Sequence, residues 1–109
     1  MPNTYTFTRI ILKADAQGRI VSCPWWVNII KWIARNPGHT SRECRFEICR
    51  EVRSGKWDRF ATNVWAALVK QKFIHPIRQG HSIVYYCTND GYILFEHIME
   101  VFAKRCVNI

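Results

Sequence analysis

Four histidines, five cysteines and eight carboxylates are the side chains with which this 109-residue chain could perform acid–base, nucleophilic or metal chemistry. Their spacing favours none of the three. His39, His75, His81 and His97 stand apart, and no Gly-rich phosphate loop or Ser, His and Asp arrangement occurs. The carboxylates sit in helical stripes interleaved with arginines, where ion pairing accounts for them. Cys23, Cys44, Cys49, Cys87 and Cys106 form an odd set without a Cys-x-x-Cys pair, which suits neither a disulfide framework nor a zinc knuckle. Buried free thiols in a reducing compartment fit better. His39, Cys44 and Cys49 could be drawn around a metal, but the spacing is nonstandard and no fourth ligand lies near. The expectation is a non-enzyme without metal or cofactor.

Recognition chemistry is better represented. Arg59, Thr62, Asn63, Ala66 and Lys70 fall on one face of a helix, small and polar in the middle and basic at both ends. Arg suits guanine, Asn suits adenine, and Ala or the Thr methyl can meet the thymine methyl, so this face has the residue types of a base-reading surface. A plain solvated face has the same outline. Charge tilts the balance: 16 Lys and Arg against 8 Asp and Glu leave +8, concentrated in residues 31–78, where eleven basic side chains oppose four acidic ones. An anionic partner would meet that middle segment.

The elements that must carry these side chains follow from periodicity and turn chemistry. Thr4 to Leu12 alternates β-forming residues and reads as a strand, Asp15-Ala16-Gln17-Gly18 as a turn, and Arg19 to Cys23 as a return strand. Ser22 can cap a first helix that begins near Pro24 and runs to about Asn36, where Pro37-Gly38 stops it. Thr40-Ser41-Arg42-Glu43 is a capping box opening a second helix that ends by Ser54-Gly55, with stripes of Cys44, Ile48 and Val52, of Glu43, Glu47 and Glu51, and of Arg42, Arg45, Arg50 and Arg53. The third helix, about Trp57 to Gln71, sets Trp57, Phe60, Ala61, Val64, Trp65 and Leu68 on a core-facing stripe. Two β-prone runs flank Arg78-Gln79-Gly80-His81, with Gly80 supplying a positive φ and Pro76 making the first run an edge strand or a short one. Thr88 caps a last helix, about Asp90 to Lys104, whose apolar residues cover far more than one face. That excess must be covered by the N-terminal hairpin or by the same helix of a second subunit, through Tyr92, Phe95, Ile98, Met99 and Phe102.

Ile83-Val84-Tyr85-Tyr86-Cys87-Thr88-Asn89-Asp90-Gly91-Tyr92-Ile93-Leu94 resembles the end of the wing in small bacterial, archaeal and phage winged helix-turn-helix regulators, with Thr88 and Gly91 matching and Cys87 in place of the usual Leu. Val64 to Ile74 resembles that family's third helix, with Lys72 where Gly is common. The similarity spans roughly Pro24 to Lys104 and specifies a superfamily only.

The resemblance implies an α+β fold: a single winged-helix domain over residues 1–109, with an N-terminal strand or hairpin (1–23), helix-helix-helix-wing (24–87) and an extra C-terminal helix (88–105). It implies sequence-specific binding of double-stranded DNA by a small transcriptional regulator, the recognition helix 57–71 in the major groove and the wing 74–87 on the backbone. Arg59, Thr62, Asn63, Ala66 and Lys70 would read bases, while Arg42, Arg45, Arg53, Lys56, Arg78 and His81 would contact phosphates. A homodimer is expected. The alternative is a protein-interaction module or phage-type inhibitor docking onto a protein or nucleoprotein partner, using Trp25, Trp26 or Trp32. With no run of about 18 apolar residues and no signal-like start at Met1 to Thr6, the expected location is cytoplasmic, nucleoid-associated if the partner is DNA.

Overall fold

A computed structural model describes residues 13–14, 16, 20–22, 24–51 and 57–107. The order is β1 (Lys13–Ala14), β2 (Ile20–Ser22), α1 (Trp25–Arg35), β3 (His39–Thr40), α2 (Ser41–Glu51), α3 (Arg59–Lys70), β4 (Ile74–Gln79), β5 (Ser82–Cys87) and α4 (Asn89–Val107). The class is α+β: four helices against a three-stranded antiparallel sheet ordered β3-β5-β4, with β1 and β2 paired separately. The expected N-terminal return is present as β1 against β2, Lys13 opposite Ser22. The expected strand Thr4 to Leu12 lies outside the described residues, as do Arg53 and Lys56.

The start of α1 differs from expectation. Ser22 is used up in β2, and Pro24 itself stands at the cap, extended at φ −60° and ψ 151°, its carbonyl accepting from the Val27 and Asn28 amides at 3.1 and 3.3 Å. At the far end Asn36 closes the helix by donating its backbone and side-chain N–H groups to the Trp32 carbonyl at 2.8 and 3.0 Å. Gly38 then turns the chain with φ +83°, and its amide donates to the Tyr85 carbonyl at 3.0 Å. That bond leads into β3, a two-residue strand too short for period-2 patterning to reveal.

The capping box forms as expected. Glu43 Oε1 accepts from Thr40 N and Oγ1, each at 3.1 Å, while Thr40 Oγ1 accepts from the Glu43 amide at 3.2 Å. On α3 the helix starts two residues later than its periodicity suggested. Asp58 is its cap, accepting from the Ala61 amide at 2.8 Å, so Trp57 lies before the helix. Phe60, expected in the core, is 55% exposed: at 100° per residue it stands on the flank of the stripe, and the buried face is Ala61, Val64, Trp65 and Leu68.

α3 ends in a Schellman motif. The Phe73 amide donates to the Leu68 carbonyl at 2.9 Å and the Lys72 amide to the Val69 carbonyl at 3.1 Å. Lys72 occupies the left-handed position at φ +64°, where glycine is the usual residue. β4 and β5 follow as a hairpin with Gln79 opposite Ser82, leaving a two-residue loop of Gly80 (φ +63°) and His81, the pattern of a type II′ turn. Pro76 lies on β4, an edge of the sheet, where its missing N–H costs no ladder bond.

Thr88 caps α4, its Oγ1 accepting from the Gly91 amide at 3.1 Å. The core gathers Val27, Ile29, Ile30 and Ile33 of α1, Cys44 and Ile48 of α2, Val64, Trp65 and Leu68 of α3, Ile74 and Cys87 of the hairpin, and Leu94 and Ile98 of α4. Much of α4's excess apolar surface is therefore covered by α1. Ile98, expected at a subunit interface, is completely buried within the protomer. Phe95, Met99 and Phe102 are half-buried and face the cations of α1: Lys31 Nζ lies 4.4 Å from the Phe102 ring centre, the Arg35 guanidinium 6.0 Å from that of Phe95, and Arg35 donates to Met99 Sδ at 3.6 Å. Tyr92 and Ile93 remain exposed. No described helix is long and apolar enough to cross a membrane.

Candidate nucleic-acid interface

α3 is amphipathic in the literal sense that its two faces do different things. Ala61, Val64, Trp65 and Leu68 lock it into the core. Arg59, Asn63, Ala66 and Lys70, spaced by four, three and four residues, emerge on the opposite side, and all four are exposed. Twelve residues at about 1.5 Å rise make a rod of about 18 Å. Among the described residues no carboxylate pairs with Arg59 or Lys70, and no acidic residue interrupts the stripe. Two cations flank an amide and a methyl along a straight, rigidly seated edge.

Thr62 stands apart from that stripe. Its Oγ1 accepts from Trp57 Nε1 at 2.9 Å and approaches the Asp58 carbonyl at 3.3 Å, so its hydroxyl is already engaged and only its methyl is open for outside contact. This bond is the edge of a larger assembly. Trp57 meets Trp25 edge-on at 5.4 Å between ring centres and Trp65 at 6.1 Å, and Trp65 meets Tyr85 at 4.8 Å. The Arg45 guanidinium lies 5.9 Å from the Trp57 ring centre. Trp57 thus ties α1, α2 and the first turn of α3 together, a role that periodicity missed by reading it as part of the helix. An indole N–H needs an acceptor when half-buried, and the threonine five residues on was the available signal.

The expected phosphate-contacting residues are dispersed over several elements. Arg45 sits over Trp57, beside the start of α3. Arg42 borders a groove between α1 and α2 instead. Arg78 and His81 are exposed on the hairpin, His81 in its two-residue turn and Arg78 on β4 opposite Ile83. Arg50 pairs with Glu47 at 3.0 Å, so part of the second helix's surface is the locally paired face that its stripes allowed. Lys72 adds an exposed cation at the end of α3, which the sequence reading did not assign to the site.

The candidate metal set does not converge. His39 Nδ1 meets Glu43 Oε2 at 3.0 Å on the surface, whereas Cys44 is wholly buried. Burial pushes the Cys44 thiol well above its ordinary range and the Cys87 thiol up to about 11. The described Cys44, Cys49 and Cys87 are free thiols. Of the three tryptophans expected to meet a protein partner, Trp26 is buried, Trp25 is half-buried against Trp57, and half-buried Trp32 lines the α1–α2 groove. Comparison with protein-family models and with curated proteins finds no match to this chain.

Proposed function

We propose that the chain is a winged helix-turn-helix module that binds double-stranded DNA with sequence preference, acting as a small transcriptional regulator. In this reading α3 enters the major groove, Arg59, Asn63, Ala66 and Lys70 reach base edges, and the Thr62 methyl supplies an apolar contact. Arg45, Arg78 and His81 hold the phosphate backbone on either side, the last two from the β4–β5 hairpin as the wing. The observation that carries the reading is the acid-free stripe of α3: four exposed residues of base-reading types on a helix held by its opposite face. The concentration of positive charge in residues 31–78 supports it.

Selection of bound duplexes from a random pool, followed by affinity measurements across salt concentrations, tests the proposal. Asn63→Ala or Arg59→Ala should cost about 1–3 kcal/mol on the selected site and relax its preference. Arg45→Ala or Arg78→Ala should weaken all sequences alike and reduce the salt slope. Absence of binding to any duplex at low salt refutes the proposal, and equal effects of both variant classes refute base reading. A palindromic selected site would require a dimer, for which Tyr92 and Ile93 are exposed large apolar residues among the described side chains of α4.

A further inference from the structure

α1, α2 and α3 each contribute a buried face to one core. On the outward side of α1 a groove of 710 Å³ runs between α1 and α2. Its walls combine aromatic surface with cations: Trp32 and Phe46 on one hand, Lys31, Arg35 and Arg42 on the other. Phe46 is 66% exposed, a large aromatic left in water by this fold. Arg42 has no ion-pair partner among the described residues. The two carboxylates on the walls are already occupied, Glu43 in the capping box and with His39, Glu47 with Arg50.

We propose that this groove docks an acidic peptide segment of a protein partner, with an aromatic or large aliphatic side chain against Trp32 and Phe46 and carboxylates on Arg42 and Arg35. Charge complementarity selects the sign of the partner, since Arg42 has no ion-pair partner among the described residues and both carboxylates of the walls are already bonded. Openness selects its size. A small ligand is held by burying most of its own surface, which a groove edged by a two-thirds exposed phenylalanine does not offer, whereas an extended peptide covers such a rim and anchors one side chain at its centre. The groove is lined by residues of α1, α2 and the segment between them and shares no residue with the α3 stripe.

The test is selection from a random heptapeptide library displayed on a neutral carrier, followed by fluorescence anisotropy with the enriched peptides on the whole chain. Enriched sequences should combine three or more acidic residues with an aromatic or large aliphatic one. Phe46→Ala and Arg42→Ala should each weaken binding by about tenfold, an amount that corresponds to loss of one anchoring contact, while circular dichroism confirms a native fold. Arg59→Ala and Lys70→Ala, on α3 and outside the groove, should leave peptide affinity unchanged, and Phe46→Ala should leave DNA affinity unchanged. No enrichment, enrichment without acidic residues, or equal losses from variants at both sites overturns the proposal. Its failure would not touch the DNA reading, which is measured on separate residues with a separate ligand.

Discussion

Gly91→Ala provides a test in which local propensity and tertiary structure predict opposite signs. Gly91 lies in the first turn of α4 and is buried. A Cβ there would overlap the Phe73 carbonyl oxygen and stand 3.1 Å from the Phe73 carbonyl carbon and 3.2 Å from Cys87 Cβ. The neighbours that would have to give are backbone and a buried side chain, not the loose end of a flexible one. The Phe73 oxygen also accepts from the Thr88 amide at 3.1 Å, so displacing it strains the cap of α4. Helix propensity alone favours Ala over Gly by about 0.8–1 kcal/mol. Overpacking at a fixed backbone costs about 1–3 kcal/mol, and weakening the Thr88–Phe73 bond adds about 0.5–1.5 kcal/mol. The net expectation is a loss of about 2 kcal/mol. For a domain of this size that lowers the melting temperature by about 10 °C. Thermal and urea unfolding followed by circular dichroism measure it. An unchanged or raised melting temperature refutes the close approach of Phe73 to α4.

Three further predictions concern the same framework. Lys72→Gly should stabilise the fold by about 0.5–1 kcal/mol, because it relieves a left-handed backbone at a side-chain-bearing residue, visible as a higher midpoint in urea. Hydrogen bonding to the Thr40 backbone amide, and then to His39, holds the Glu43 carboxyl below its ordinary value of 4.5. Its contribution is therefore present above that pH and lost as pH falls through the lowered value. The stability difference between the wild type and Glu43→Gln should be full at neutral pH and close in acid, as read from melting curves over a pH series. Cys44 and Cys87, buried and with raised thiol pKa values, should resist iodoacetamide at pH 8 in the folded protein and react after denaturation, as site-resolved mass spectrometry would show.

The features that the sequence disclosed are those whose cause is local. The Thr40–Glu43 box needs four consecutive residues, the hairpin turn needs Gly80, and the exposed stripe of α3 needs only helical spacing. What escaped depends on neighbours distant in the chain. Periodicity put Phe60 inside because it counts angular position, whereas burial requires another element over that angle. It put Trp57 inside the helix because Trp57 is indeed partly covered, but by Trp25 and Trp65 in a loop position. Ser22 looked like a cap until pairing with Lys13 claimed it for a strand. The apolar excess of α4 was legible, but its partner was not: Phe95 and Phe102 are met by Arg35 and Lys31, cationic residues of α1. Long cationic side chains can cover aromatic surface while keeping their charge near water, which a division into polar and apolar faces does not capture.

The Phe73 carbonyl has a consequence for how such a surface can change. It receives the Thr88 amide and abuts Gly91, while the amide of the same residue closes the turn after α3 on the Leu68 carbonyl, so Phe73 fastens the end of one helix, the foot of the hairpin and the start of the next helix at a single point. None of Arg59, Asn63, Ala66 or Lys70 takes part in that joint. The outward lettering of α3 can therefore be rewritten, residue by residue, while the angle at which it is presented stays fixed. The exposed stripe of α3 is thus separable from the joint that seats the helix, and substitutions along it leave that joint intact.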